Sequence, residues 1–172
     1  ALAQAETEFR DFITFFPNMA EAAEAQLKIA DIHYRQLEKP DRDYAHARRA
    51  EDEYRQVLLQ YPDSKLADTA RVRLLQVQEV LAERQFRIAR FYFQRQSLIA
   101  SIARAKTLTD TYPLYSHSDE ALYMLGQAYE QQSDRTRAAS IPDALKQHLS
   151  KTYLDKAAQA YGKIATRYPA TP

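Results

Sequence analysis

Four prolines directly follow an aromatic residue, and this recurring pair constrains the fold more than any other feature of the chain. The pairs are Phe16-Pro17, Tyr61-Pro62, Tyr112-Pro113 and Tyr168-Pro169. Counted back from each proline, a small residue stands twelve positions earlier, and apolar residues stand eight and five positions earlier. Spacings of three and four place these side chains on one stripe of a helix. The pattern predicts a repeated helix that stops at the proline, because the residue before a proline avoids the helical conformation.

A partner helix is predicted after each of the first three of these prolines. Alanine stands eight positions after each one, and Ile or Leu stands twelve positions after it. Asn18 and Ser116, each with an acidic residue three positions later, are expected to cap two of these helices. Residues 63–111 contain neither Gly nor Pro. We therefore expect one long helix from Ser64 to about Arg95, which would span roughly 48 Å. Side chains of the repeated stripe should pack between helices, namely Tyr54, Tyr61, Leu108, Tyr161 and Ile164.

The composition excludes several classes of protein. With 2 glycines in 172 residues, the chain lacks both the turns of an all-β barrel and the Gly-rich loops of nucleotide-binding folds. The absence of cysteine excludes disulfides, thiolate metal sites and thiol catalysis. No catalytic motif is present. His33 falls at a core position, which favours packing over metal binding, and the pair Asp41-x-Asp43 fits a turn and not a calcium-binding loop. We expect a non-enzymatic protein without a cofactor or a metal.

The net charge is +1, but the charges are unevenly distributed along the chain. Residues 1–63 hold 8 basic and 13 acidic side chains, a net of −5, whereas residues 64–112 hold 9 and 4, a net of +5. Two interpretations stay open for the basic segment: solvated helix faces, or a patch for an acidic protein partner. The arginines of this segment alternate with aromatic residues. Because these aromatic residues stand at the spacing of a helix core and no RNA-binding motif accompanies them, we expect no nucleic-acid partner.

The repeated pattern resembles the tetratricopeptide repeat (TPR), a 34-residue pair of helices. Residues 82–115 fit its full spacing, and Leu125-Gly126 followed by Tyr129 matches its first helix. The resemblance implies an all-α fold, a right-handed solenoid of antiparallel helix pairs with one long central helix. We expect a single domain of four segments: the second helix of a truncated repeat (1–16), a repeat with an insertion (18–62), the long helix plus a repeat (64–115), and a repeat with an insertion (116–169).

The order of the motifs resembles a narrower family, the BamD family of outer-membrane assembly lipoproteins, also called YfiO or ComL. The resemblance rests on the Asp-Arg-Asp turn at 41–43, the motif Tyr61-Pro62-x-Ser64, and the spacing from Leu81-Ala82 to Phe91-Tyr92 along the long helix. It implies a scaffold on the periplasmic face of the outer membrane, held there by a lipidated Cys. Such scaffolds bind the periplasmic domains of the barrel-forming subunit and receive unfolded outer-membrane proteins.

The chain departs from this family in having no lipidated Cys and in lacking the first helices, so we expect it to be a fragment whose anchor lies outside it. The segment 133–151 also looks like an insertion foreign to the family. The alternative is another periplasmic TPR adaptor, such as a Tol–Pal accessory protein. The long helix and the irregular insertions disfavour that alternative, because such adaptors usually have short, regular repeats.

Two kinds of binding residue follow from the resemblance. Arg104 stands where the family has an arginine that contacts the barrel-forming subunit; the alternative is an ordinary solvated arginine. The first helices of TPRs line a concave groove, and a mixture of apolar and charged side chains there suits an extended peptide. The alternative is that the insertions or the long helix fill this groove. The candidate groove residues are Leu27, Asp31, Tyr34, Phe86, Arg90, Phe93, Tyr123, Gln127 and Glu130.

Overall fold

The computed structural model describes residues 1–37 and 44–168, and these residues form seven α-helices and no strand. This confirms the predicted all-α fold. The predicted turn at Asp41 and Asp43, and Pro169, lie outside the described residues. Among the described helices, none is both long enough and apolar enough to cross a membrane. The helices are α1 Leu2–Phe15, α2 Ala20–Tyr34, α3 Ala45–Gln60, α4 Ala67–Gln94, α5 Leu98–Thr111, α6 Ser118–Ala138 and α7 Asp143–Arg167.

The aromatic residue before proline ends a helix in the same way each time. Phe16, Tyr61, Tyr112 and Tyr168 have φ between −132° and −124° and ψ between 53° and 65°. The backbone N–H of each donates to the carbonyl four residues earlier, at 2.8–2.9 Å. In the first three copies, the carbonyl of the aromatic residue accepts a hydrogen bond from the residue three positions later. This closes a β-turn with proline at its second position. The repeated pair is therefore one repeated helix-ending turn.

The helices that follow these turns begin without the predicted side-chain caps. Met19 is the N-cap of α2 and His117 is the N-cap of α6, and neither makes a side-chain cap hydrogen bond. The predicted cap positions are therefore wrong by one residue, because each helix starts one residue later than Asn18 and Ser116 would require. A second backbone turn opens each helix instead, with an N–H that donates to the carbonyl three residues earlier at 3.0–3.1 Å. Because this turn engages a backbone N–H of the first helical turn, fewer unpaired N–H groups remain for a side-chain cap to satisfy.

The contacts within the chain group into two units, residues 1–81 and residues 82–172, and the boundary lies inside α4. In the N-terminal unit, α1 packs against α2 and α2 packs against α3. Ile29, Tyr54 and Val57 are each 0% exposed in its core. The predicted stripe is thus fully buried at Tyr54, whereas Tyr61 is half-buried at the end of α3.

In the C-terminal unit, α5 packs against α6 and α6 packs against α7. Leu108 and Ser101 on α5 are each 0% exposed. The hydroxyl of Ser101 donates to the carbonyl of Ala89 at 2.9 Å. The small residue of the stripe therefore lets α5 approach the backbone of α4. Tyr161 and Ile164 on α7 are half-buried.

The predicted insertion at 133–151 lengthens two helices. It extends α6 at its end and α7 at its start, which leaves residues 139–142 between them. Across the added turns, the hydroxyl of Ser133 donates to the carbonyl of Ser150 at 3.0 Å. Residues 133–141 contain neither Gly nor Pro, and Pro142 stands directly before α7, where its missing N–H costs nothing. The division of the chain into one domain of four repeat segments stays a prediction.

Candidate protein-binding site

Arg104 lies on the exposed side of α5. The opposite side of that helix is fixed by Ala105 and Leu108, both 0% exposed. Two residues along the helix, Lys106 forms an ion pair with Asp110 at 2.5 Å. The side chain of Arg104, in contrast, makes no ion pair and no hydrogen bond with any residue in the described part of the chain. Its guanidinium is therefore accessible to a carboxylate from outside the chain.

In the N-terminal unit, the three predicted groove residues are held by their own neighbours. Leu27 is 7% exposed and belongs to the core. Asp31 forms an ion pair with Arg73 and accepts a hydrogen bond from the Tyr54 hydroxyl. Burial, together with that hydrogen bond to the carboxylate, raises the pKa of Tyr54 above its ordinary value. The Tyr34 hydroxyl donates to the side-chain carbonyl of Gln76 on α4 at 2.8 Å.

Phe86, Arg90 and Phe93 lie along α4 within the C-terminal unit. Phe86 is 6% exposed, and its ring centroid lies 6.0 Å from that of Tyr115. The guanidinium of Arg90 lies over the Phe86 ring, 5.6 Å from the ring centroid, and Arg90 is exposed. Phe93 is half-buried. Of these three, Arg90 therefore offers the most accessible surface.

Tyr123, Gln127 and Glu130 lie along α6, and Tyr123 and Glu130 contact Tyr161 of α7. The rings of Tyr123 and Tyr161 are 5.9 Å apart, and the Tyr161 hydroxyl donates to a Glu130 carboxylate oxygen at 2.8 Å. Burial and this carboxylate raise the pKa of Tyr161. Tyr123 is nevertheless 55% exposed, Glu130 is exposed, and Gln127 is half-buried.

The structure therefore divides the predicted groove residues by accessibility. The burial of Leu27 and Phe86 places them in the cores of their units, because both carry the large apolar side chains that helix packing removes from water. Neither can present contact area to a partner in this conformation. Arg90, Tyr123 and Glu130 are exposed and stay candidates for a binding surface.

The expected end of the long helix, at about Arg95, agrees with α4, which ends at Gln94, but the contacts that hold the turn between α4 and α5 were not predicted. Gln96 has a φ of 59°, the left-handed conformation that a residue other than glycine seldom adopts. Arg135 on α6 donates to both the backbone carbonyl and the side-chain carbonyl of Gln96, at 2.7 and 2.8 Å. Next to this turn, Ile99 is 58% exposed. The only available signal was that Ile99 falls off the repeated apolar stripe of α5.

The chain matches a family model over most of its length. The model, described as YfiO, outer membrane lipoprotein, matches residues 1–145. The chain belongs to the YfiO family. Arg104, Arg135 and all of the predicted groove residues lie inside the matched segment.

Relatives of this YfiO-family chain carry the name outer membrane protein assembly factor BamD. The protein from Caulobacter vibrioides is 30% identical over 118 residues, which cover 69% of this chain and 39% of the relative. The protein from Xylella fastidiosa strain 9a5c is 26% identical over 110 residues, 64% of this chain and 38% of the relative. The protein from Vibrio cholerae is 27% identical over 124 residues, 72% of this chain and 51% of the relative. The aligned part of the chain thus spans about two-fifths to half of the length of these relatives, and the predicted family is confirmed.

Proposed function

We propose that this chain is part of a non-enzymatic scaffold that helps assemble β-barrel proteins at the periplasmic face of the outer membrane. The observation that carries the proposal is the family match over residues 1–145, with relatives named as outer membrane protein assembly factors. Lipid anchoring is proposed from the family description. The helical pairs provide binding surfaces, and the proposed role requires no cofactor.

The proposed partner is the barrel-forming subunit, bound through its periplasmic domains, with Arg104 as one contact. The support is the accessible guanidinium on α5, which no carboxylate of the described residues occupies. A planar guanidinium can bind a carboxylate through two parallel hydrogen bonds, which a lysine cannot do. A carboxylate of the partner would complete this pair.

Unfolded outer-membrane proteins are a second proposed ligand. The exposed residues Arg90, Tyr123 and Glu130 combine an aromatic ring with charges of both signs, which suits an extended segment with mixed side chains. If this surface binds such segments, a photo-crosslinking residue at position 123 should label a denatured outer-membrane protein. The control position is Leu59 on α3, which is 74% exposed; labelling there and not at position 123 would contradict this part of the proposal.

The experiment that tests the main proposal measures the affinity of the 172-residue chain for the periplasmic domains of the barrel-forming subunit. Arg104→Ala should weaken binding by about 2–5 kcal/mol, because it removes one member of an interfacial charge pair. Arg104→Lys should recover only part of that loss, since it keeps the charge but not the planar geometry.

The matched control is Lys163→Ala, which removes another exposed cation of the C-terminal unit on α7 and should leave the affinity unchanged. The melting temperature should change little in all three variants, since exposed charges contribute little to stability. Binding of Arg104→Ala with the wild-type affinity would remove Arg104 from the interface. Failure of the wild-type chain to bind would overturn the proposed partner.

A further inference from the structure

Two histidines from neighbouring helices meet inside the N-terminal unit, apart from the candidate binding residues. His33 on α2 is 2% exposed, and His46 on α3 is half-buried. Their Nδ1 atoms lie 3.2 Å apart, which is a hydrogen-bond distance. A bond between these two atoms can hold only one hydrogen, because a ring nitrogen that carries a hydrogen cannot accept another. The contact between α2 and α3 at this point therefore depends on how many protons the two rings carry.

The other ring nitrogen of His33 faces α1. Its Nε2 lies 3.5 Å from the Oε2 oxygen of Glu6, a distance that suits an ion pair better than a hydrogen bond. The Oε1 oxygen of Glu6 accepts two hydrogen bonds from Arg10, at 3.1 and 2.9 Å. Arg10 also forms an ion pair with Glu53 of α3 at 2.5 Å. The carboxylate that faces His33 is therefore fixed in position, and it would attract that ring if the ring became positively charged.

The two rings lie at opposite ends of their helices. His33 belongs to the last turn of α2, where the helix dipole stabilises a positive charge. His46 belongs to the first turn of α3, where the dipole destabilises one. This turn, which the structure describes in full, contains no Asp or Glu, and Arg48 and Arg49 stand two and three residues after His46. A positive charge on both rings is therefore least favourable at the start of α3.

The pair can take up one proton and keep its hydrogen bond. With one ring charged and the other neutral, one Nδ1–H still donates to the lone pair of the other Nδ1. A second proton places a hydrogen on both Nδ1 atoms and a like charge on both rings, so the bond is lost and the rings repel each other. Burial of His33 and the positive charges of His46 and Arg49 oppose this second step, whereas Glu6 favours it. The loss of the bond should therefore occur at a pH below 6.5, the ordinary pKa of histidine.

We infer that the first turn of α3 is a pH-sensitive latch. It is closed on α2 while the His33–His46 pair is neutral or holds one charge, and it opens when both rings are charged. The start of α3 is the part that moves, because its dipole and its two arginines repel the charged rings. The helix α1 remains attached to α2 in the open state, because the Glu6 carboxylate attracts the charged His33. The contact between α2 and α3 thus responds to pH separately from the contact between α1 and α2.

The test records imidazole and backbone amide signals of the 172-residue chain by nuclear magnetic resonance between about pH 7.5 and about pH 4.5. The rings of His33 and His46 should titrate in two coupled steps. Amide signals of the first turns of α3 should shift with the lower step, and those of α1 should not. Hydrogen exchange in these turns of α3, divided by that of α5 in the other unit, should rise about tenfold or more across the lower step, since the ratio removes the direct effect of pH on exchange.

His46→Asn is the variant that removes the latch. An Asn amide takes the place of Nδ1, can bond to His33 in either direction and does not titrate, so the start of α3 should stay closed over the whole range. Glu6→Gln is the second variant, and the lower step should move to lower pH because the carboxylate that favours a charged His33 is gone. The matched control is His148→Asn, at an exposed histidine on α7, which should behave as the wild type does.

Opening of α3 in His46→Asn at the same pH as in the wild type would overturn the inference. Faster exchange in α1 to the same extent as in α3 would also overturn it, because that result indicates unfolding of the whole unit. If His46→Asn does not fold, Glu6→Gln decides, since an unchanged lower step would show that His33 does not control the opening. None of these results depends on binding of the proposed partner.

Discussion

His33 is a buried ionisable residue at the position where the TPR pattern has a tyrosine. It is 2% exposed, and its Nδ1 lies 3.2 Å from the Nδ1 of His46 on α3. In such a pair one ring donates and the other accepts, so at least one ring must be neutral. Burial lowers the pKa of His33, the charges of His46 and Arg49 lower it further, and Glu6 opposes the change. The folded state therefore favours the neutral form of His33.

The free energy of unfolding should fall when the pH is lowered through the range where the unfolded histidine takes up a proton. The native pKa of His33 lies below its ordinary value of 6.5. The unfolded chain therefore binds the proton first, so stability is highest above pH 6.5 and decreases as the pH falls towards the native pKa. Urea unfolding at about pH 7.5 and about pH 5.5 measures this change.

His33→Phe should show a smaller pH dependence over the same range, whereas His148→Phe, at an exposed histidine, should keep the wild-type dependence. Glu6 does not contribute to the change in stability over this pH range, because its pKa lies lower. Although burial alone would raise the pKa of Glu6, the hydrogen bond from Arg10 and the charge of Arg10 lower it overall, below 4.5. An equal pH dependence in the wild type and His33→Phe would contradict the assignment to His33.

Residues that pack locally were predictable, and residues engaged by distant segments were not. Tyr54 and Leu108 fall on the apolar stripe, and their complete burial follows from helical spacing. Asp31 was placed in a groove by its repeat position, yet its partner Arg73 stands 42 residues later on another helix. Nothing in the local pattern encodes that ion pair. The sequence thus predicted the core better than the candidate site.

At the scale of elements, helix ends were more predictable than helix starts. The four aromatic-proline pairs produce nearly the same backbone angles, because proline excludes the preceding residue from the helix. Asn18 and Ser116 have the residue type of a cap, but the backbone closes a turn at both helix starts. A capping pattern states only that a side chain can accept a hydrogen bond, and the path of the chain decides whether it does.

The two glycines of the chain have opposite roles in their helices. A Cβ on Gly126 of α6 would lie 2.3 Å from a ring carbon of Tyr161, whereas a Cβ on Gly162 of α7 would meet nothing within 4 Å. Gly126→Ala should therefore destabilise the protein by about 1–3 kcal/mol, because the Tyr161 ring must move away from α6. Gly162→Ala should stabilise it by roughly 0.5–1 kcal/mol through higher helix propensity.

Thermal or urea unfolding of both variants measures the two effects, and each variant is the control for the other. The TPR pattern indicated the glycine at position 126 from the sequence Leu125-Gly126, and the approach of Tyr161 supplies the physical reason. Equal stability of the two variants would show that the Tyr161 ring moves without cost and that α6 and α7 are loosely packed at this point.

At the scale of the whole molecule, charge separation was predictable from the sequence and the grouping of contacts was not. The net of −5 in residues 1–63 and of +5 in residues 64–112 is a property of the sequence alone. The repeated stripe continues through the chain without interruption, so it gave no signal for a boundary between units inside α4. Hydrophobic periodicity identifies which face of a helix is buried, but not which neighbouring helices make the larger share of contacts.

Affinity for the proposed partner should decrease as the salt concentration rises. The segment 64–112 carries the net +5 and includes Arg104, so it should attract an acidic surface over distances that salt screens. Raising the ionic strength from about 0.05 M to about 0.3 M shortens the screening length from above 10 Å to below 8 Å, which should mainly slow association. The measurement is the association and dissociation rate at several salt concentrations. Arg104→Ala should bind more weakly and show a shallower salt dependence, while Lys163→Ala should keep the wild-type slope. Rates that do not change with salt would favour the other interpretation of the basic segment, in which its charges only solvate exposed helix faces.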